Sequence, residues 1–192
     1  RTLVVGTSLE SCFLRLARRR GAIGPTALLA NIWTGLKALG LLPATPEERL
    51  PIPAGLSPIT RLRYAFLSGN KAYLRGLPLE LGMSLAQASL QEEVLHHLSL
   101  RGQQVLTSHR AAGRHVVLLT GTLDFLAEPL CAHLGGARLL ASQPEVQGGV
   151  LTGRLAAPHP YGAQKREMLG QWAEAEGIDL SISYAYADHH TD

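Results

Sequence analysis

An α/β fold with an inserted all-helical cap is predicted by three features of this 192-residue sequence. Helical periodicity dominates from Leu9 to Ala112, a continuous apolar run of strand length follows at His115–Leu119, and strand and helix signals alternate from there on. The 46% hydrophobic and 17% charged content belongs to a folded chain and excludes general disorder.

Taking the elements in order, Leu3-Val4-Val5 reads as the tail of a strand, and Thr7-Ser8-Leu9-Glu10 as a capping box opening a helix with Leu9, Cys12, Phe13 and Leu16 on one face. Gly21 stops that helix, and Arg18-Arg19-Arg20 supplies the positive charge a helix C-terminus favours. Pro25 at a first-turn position opens a second helix to about Leu42. Pro43, Pro46, Pro51, Pro53 and Pro58 then form a proline-rich connector, followed by helical stretches at about 58–67, 85–98 and 103–112.

After Gly113 the run His115-Val116-Val117-Leu118-Leu119 predicts a strand buried on both faces of a parallel sheet, which Thr120-Gly121-Thr122 turns into a helix over 123–134. A short strand at 137–141 follows. Glu145-Val146 and Val150-Leu151-Thr152 flank Gly148-Gly149 as a hairpin, a helix covers 165–176, and Leu180–Tyr186 alternates as a strand. The economical division is a Rossmann-like parallel-sheet core of 1–13 and 108–192 with a helical cap of 14–107 inserted in it.

Charge is uneven along the chain: twelve basic against six acidic residues up to 107, and six against nine beyond it. A basic first half beside an acidic second half suits an anionic ligand between two lobes, as it suits simple solubility. The arginine triplet is too short to argue nucleic acid. No apolar run is long enough to span a bilayer. Cys12 and Cys131 lie far apart in apolar surroundings without metal-ligand spacing, so neither a disulfide framework nor a zinc site is indicated and a reducing, cytoplasmic setting is expected. The chain starts without Met or a secretory pattern and stops inside ordered-looking sequence, so a fragment is expected.

In open α/β sheets ligands sit at the carboxyl ends of strands. After the first such strand, Thr120-Gly121 offers a hydroxyl and an amide at an expected helix start, an anion site that could equally be a plain helix cap. After the last, Asp188-His189-His190-Thr191-Asp192 carries two carboxylates four residues apart, suited to a hard cation such as Mg2+ or to a polar loop. Between them Lys165 stands near a helix start, where the dipole slightly disfavours a cation and where a surface lysine is the simpler account.

Together, in this order, the three match the second, third and fourth motifs of the haloacid dehalogenase superfamily of phosphatases. Val116–Leu126, with Gly148-Gly149-Val150-Leu151-Thr152-Gly153-Arg154 and Tyr161-Gly162-Ala163-Gln164-Lys165, resembles the branch that contains phosphoserine phosphatases. The likeness covers about 110–192, and the inserted cap of that branch agrees with the helical stretch read independently above.

The resemblance implies a Mg2+-dependent phosphomonoester hydrolase working through an aspartyl-phosphate. Thr120, Gly121 and Lys165 would bind the phosphoryl group, with Thr120 and Lys165 in catalytic roles, and Asp188 and Asp192 would serve the metal. The superfamily's first motif, D-x-D-x-T-L, would end at Arg1-Thr2-Leu3. Both catalytic aspartates are therefore expected upstream of Arg1, and the chain alone is expected to be inactive.

Ala187 stands where the family usually has Gly, and His189 where Ser is common. Thr7 replaces the glutamate that phosphoserine phosphatases set against the substrate amine, which disfavours phosphoserine. Arg61, Arg63, Lys71 and Arg75 could meet a second anionic group or simply be solvated helix faces, while Trp33 and Tyr64 read as core anchors. The partner is expected to be a small-molecule or lipid phosphate ester. A non-catalytic phosphate-binding relative and a membrane-surface module, with 25–42 and the basic cap facing anionic lipid, are the other readings.

Overall fold

The computed structural model describes residues 3–157, 159–160 and 162–187. Its elements are α1 (Leu9–Arg19), α2 (Pro25–Ala38), α3 (Pro58–Arg63), α4 (Leu79–Ser89), α5 (Leu100–Ala111), β1 (Val117–Leu123), α6 (Asp124–His133), β2 (Arg138–Ser142), β3 (Pro144–Gln147), β4 (Val150–Leu155) and α7 (Ala163–Ala175). The architecture is mixed α/β, with many helices and a small parallel sheet. The chain forms two compact units, Arg1–Arg15 with Met83–Ser142 and Pro160–Asp192, and Leu16–Gly82 with Gln143–His159. These units differ in extent from the core and cap read in the sequence.

Helix α1 starts one residue later than the expected capping box. The Ser8 hydroxyl accepts the Ser11 N–H at 3.1 Å and pairs with the Ser11 hydroxyl at 2.8 Å, so Ser8 rather than Thr7 is the cap. Its end is as expected: Gly21 takes φ +69 and Ala22 N–H returns to Ala17 O at 2.9 Å, with Arg18 and Arg19 exposed in the last turn.

In the first unit, β1 and β2 pair in parallel with Val117 opposite Arg138 and Leu119 opposite Leu140. Cys12, Leu90, Val94, Leu130 and Leu134 form a buried cluster, against which Leu118 packs. β1 is half-buried along most of its length rather than sealed on both faces, because β2 is its one strand neighbour among the described residues. The expected strand at Leu3–Val5 is a single antiparallel bridge from Val4 to Leu98, flanked by bonds from Val5 N–H to His97 O and from Ser99 N–H to Leu3 O, each 2.8 Å.

The strand expected at Leu180–Tyr186 is not formed. The Asp179 carboxylate accepts the Ser181 N–H at 2.8 Å and folds Leu180–Ile182 into a 3-10 turn. Beyond it Tyr184 and Tyr186 turn to His109, whose Nε2 lies 2.9 Å from the Tyr186 hydroxyl. A local Asx bond has overridden an alternating pattern.

The second unit holds α2, α3 and the β3–β4 hairpin. Gly148 and Gly149 have φ +56 and +78, the paired positive values that a two-residue turn between Gln147 and Val150 needs. The hairpin gains a third edge, since Leu151 N–H donates to Leu77 O and Leu79 N–H to Gly149 O, both at 2.9 Å. Asn70 is buried and ties three segments: its amide nitrogen donates to Asn31 O (2.8 Å) and Ala65 O (2.9 Å), and its oxygen accepts the Ala72 N–H (3.0 Å). Tyr64 is buried as expected. Trp33, expected as a core anchor, is 56% exposed on α2, because that helix turns its Gly35 face inward, against the Phe66 ring. Lys71, expected on a solvated face, is buried with Nζ donating to Leu67 O at 3.1 Å.

Gly153 joins the hairpin to this unit by close approach. At φ +80, a Cβ there would lie 3.0 Å from the Ala72 backbone and 3.2 Å from Lys71 O. Gly153→Ala is therefore expected to destabilise by about 2 kcal/mol or more, combining left-handed strain with a backbone collision. Gly177→Ala, at φ +66 with open space around it, carries only the strain. Equal thermal shifts for the two variants would remove the packing role of Gly153.

Candidate functional site

Thr120 and Gly121 fall where β1 breaks register. Leu119 pairs with Leu140 and Leu123 with Ser142, so three residues of β1 stand opposite one of β2 and the strand bulges at the predicted anion-binding pair. Such bulges re-aim side chains at functional edges. Helix α6 begins only at Asp124, with Leu123 as its cap residue. The expectation that Thr120-Gly121 directly opens the helix is corrected: the bulge takes up Gly121 and Thr122, and the helix N-terminus comes later.

The bulge is internally bonded. The Thr120 hydroxyl oxygen accepts the Thr122 N–H at 3.1 Å, and Gly121 O accepts the Ser142 hydroxyl at 2.9 Å. A hydroxyl that accepts one hydrogen bond keeps its own proton to donate, so Thr120 retains a donor for an anion. Asp124 sits in the first turn of α6, its carboxylate accepting the Phe125 N–H at 2.6 Å. Burial pushes its carboxyl above the ordinary aspartate range, opposed by that hydrogen bond.

Lys165 occupies the first turn of α7 and is half-buried, its N–H donating to Gly162 O at 3.1 Å. It lies in the same compact unit as Thr120 and Gly121. Asp188 and Asp192, with His189 and His190, lie outside the described residues. Among the described residues no group of three or more His, Cys, Asp or Glu is placed to hold a metal. Arg61 and Arg63 lie in the other unit, exposed on α3. Arg75 is engaged locally, its Nε donating to Thr152 O at 3.3 Å. Thr7 is buried, its hydroxyl 3.6 Å from Cys12 Sγ. Both cysteines are free and buried, and no helix among the described residues is long and apolar enough to cross a membrane.

Two features escaped the sequence. Lys71 looks like any cap lysine until its burial is seen, and Arg110 and Trp172 carry no motif, although each holds a buried, unpartnered nitrogen.

The chain is 31% identical over 104 residues to a phosphoserine phosphatase of Mycobacterium tuberculosis, covering 54% of this chain and 34% of that protein. It is 36% identical over 89 residues to the inhibition of morphological differentiation protein of Streptomyces azureus, covering 46% and 32%. The chain thus spans about a third of the length of these relatives. A crystal structure of a protein of unknown function from Bordetella pertussis superposes with a TM-score of 0.63 at 19% identity, over 93% of this chain and 73% of that one, a likeness of fold. The model of the haloacid dehalogenase-like hydrolases matches residues 1–192. With that match over the whole length, and a strand, bulge and helix where the motifs fall, the chain belongs to the haloacid dehalogenase-like hydrolases.

Proposed function

We propose that this chain is part of a phosphomonoester hydrolase that works through an aspartyl-phosphate, with a small-molecule or lipid phosphate as substrate. The observation that carries the reading is the β1 bulge, which presents the Thr120 hydroxyl and the Gly121 backbone at one point of the sheet. An aspartate carboxylate attacks phosphorus in line, the P–O bond to the substrate breaks, and the departing alkoxide takes a proton. Water then attacks phosphorus and frees both phosphate and carboxylate. The 192 residues contain four aspartates and no D-x-D pair, so the nucleophile and the acid–base are assigned to residues outside them.

Within the chain, Thr120 donates its hydroxyl and Gly121 its N–H to phosphoryl oxygens, and Lys165 offsets charge on phosphate and nucleophile. Asp188 and Asp192 present only oxygen donors, the set Mg2+ favours, with Asp188 as ligand and Asp192 orienting the surrounding shell. The cation supplies further neutralisation of phosphoryl charge when bound.

The helical cap of 14–107 is assigned the choice of substrate. Arg61 and Arg63 are exposed and offer charge to a second anionic group, and Thr7 in the place of an amine-binding glutamate removes a reason to prefer phosphoserine. On a chain extended upstream of Arg1, a panel of phosphate esters is expected to show dianionic or lipid phosphates ahead of phosphoserine by about tenfold in kcat/KM, or about 1.4 kcal/mol. Arg61→Ala and Arg63→Ala should narrow the gap. Phosphoserine emerging as the best substrate, with both arginines neutral, would reduce the cap charge to solubility.

A further inference from the structure

At the amino ends of the strands of the parallel sheet the first unit contains a basic cavity. A space of about 270 Å3 is lined by Arg110, Arg114, His115, Val116, Arg138 and Trp172, together with Gly136. Arg138 opens β2 and Val116 immediately precedes β1, so the cavity lies at the amino ends of the strands. Thr120 stands four residues further along, about 13 Å away at the rise of a strand. The two sites therefore cannot share one phosphoryl group.

Among the described residues three guanidiniums, a histidine and an indole line this space, and no carboxylate does. Two of them hold polar atoms that nothing satisfies: Arg110 Nη2 and Trp172 Nε1 are buried without a hydrogen-bond partner among the described residues. Buried donors in folded proteins are almost always paired, and an unpaired guanidinium nitrogen is among the costliest exceptions.

Two of the arginines are held in place. Arg110 is seated over Gly135, at φ +88, where a Cβ would lie 2.7 Å from Nη1. Arg114 is fixed by His109 Nδ1 at 3.0 Å from its Nη1 and by the Tyr184 ring, whose centroid is 4.9 Å from its Cζ. His109 is braced in turn by the Tyr186 hydroxyl. Prepaid ordering of this kind favours a ligand over a solvated surface patch.

We propose that this cavity binds a small phosphorylated molecule, as an anion site separate from the candidate catalytic one. The donors exceed what the two oxygens of a carboxylate accept, and suit the three terminal oxygens of a phosphate monoester. The volume admits a phosphate with a short organic portion, for which Trp172 supplies an aromatic wall, and is too small for a folded segment of another protein. The inference does not rest on the hydrolase reading, since none of its residues is assigned to catalysis.

The chain has two tryptophans, and Trp33→Phe leaves Trp172 as the sole fluorescent reporter. Titration of that variant with inorganic phosphate and with pyrophosphate, at constant ionic strength set with chloride, is expected to give a saturable change in emission. Arg110→Gln and Arg138→Gln should each weaken the midpoint about tenfold or more, whereas Thr120→Ala and Lys165→Ala should leave it unchanged. Arg138 is exposed, so its variant should fold even if Arg110→Gln does not, and circular dichroism checks both. The proposal is overturned by the absence of saturation, by a midpoint indifferent to both arginine variants, or by loss of the response in Lys165→Ala. The same titration on a chain extended upstream of Arg1 must retain the response; its loss there would assign the cavity to the protein's own preceding residues.

Discussion

Incubated with p-nitrophenyl phosphate and Mg2+, the 192-residue chain is expected to release no p-nitrophenol above background, while the chain extended upstream of Arg1 turns it over and stops on addition of EDTA. The reason lies in the four aspartates. Asp124 is held at the start of α6 by the Phe125 N–H, and burial raises its pKa, the wrong direction for a carboxylate nucleophile at neutral pH. Asp179 is spent on the Ser181 N–H, whose hydrogen bonds lower its pKa and draw electron density away from the attacking oxygens. Asp188 and Asp192 are assigned to the cation. No aspartate is left to form the aspartyl-phosphate, and because uncatalysed phosphate monoester hydrolysis is among the slowest of biological reactions, loss of the nucleophile removes all measurable turnover. Equal rates from the two chains would overturn both this assignment and the division of labour proposed for Thr120 and Lys165. An extended chain that ignores EDTA would remove Mg2+ from the scheme.

Much of the fold was legible because local chemistry and tertiary packing agree. Gly148-Gly149 demands positive φ at adjacent positions and gives a hairpin; Pro25 and Pro58 start helices; the apolar run ending at Leu119 pairs in parallel with 138–140. The misreadings arise where a short-range hydrogen bond competes with a pattern. Ser8 captures the Ser11 N–H and moves the cap by one residue, and Asp179 captures Ser181 and cancels a strand that alternates well in sequence. Helix boundaries in the first half also shift because α3 and α4 run on into π turns at Tyr64–Ser68 and Leu90–Val94, which periodicity alone does not mark. For the candidate site, the pair Thr120-Gly121 was readable from the end of an apolar run, yet the bulge that displays it was not, since register depends on β2. Burial is a property of the assembled chain: Lys71 hidden, Trp33 exposed and Arg110 left without a partner could not be read from neighbouring residues.

In the upstream-extended chain, Lys165→Ala is expected to lower kcat about 100-fold or more with the fold retained. Lys165 stands in the first turn of α7, where the helix dipole is unfavourable to a cation and where a purely structural role would favour an acid or a neutral side chain. A lysine kept at that place gains most if a phosphate, carrying the opposite charge, is brought to it. Removing one preorganised donor from a developing phosphoryl charge typically costs about 2.7 to 4 kcal/mol, which sets the hundredfold figure. The effect should fall on kcat more than on KM, because Lys165 is assigned to both anions, the phosphoryl group and the nucleophile, which are forced together only as the carboxylate–phosphorus bond forms. Lys165→Arg should recover part of the loss by restoring charge without the same reach. Circular dichroism and the melting temperature should match the parent, since a half-buried side chain in the first turn contributes little to the core. A kcat within threefold of the parent, for an alanine variant of unchanged melting temperature, would return Lys165 to an ordinary surface lysine and leave Thr120 and Gly121 without the charge their role requires.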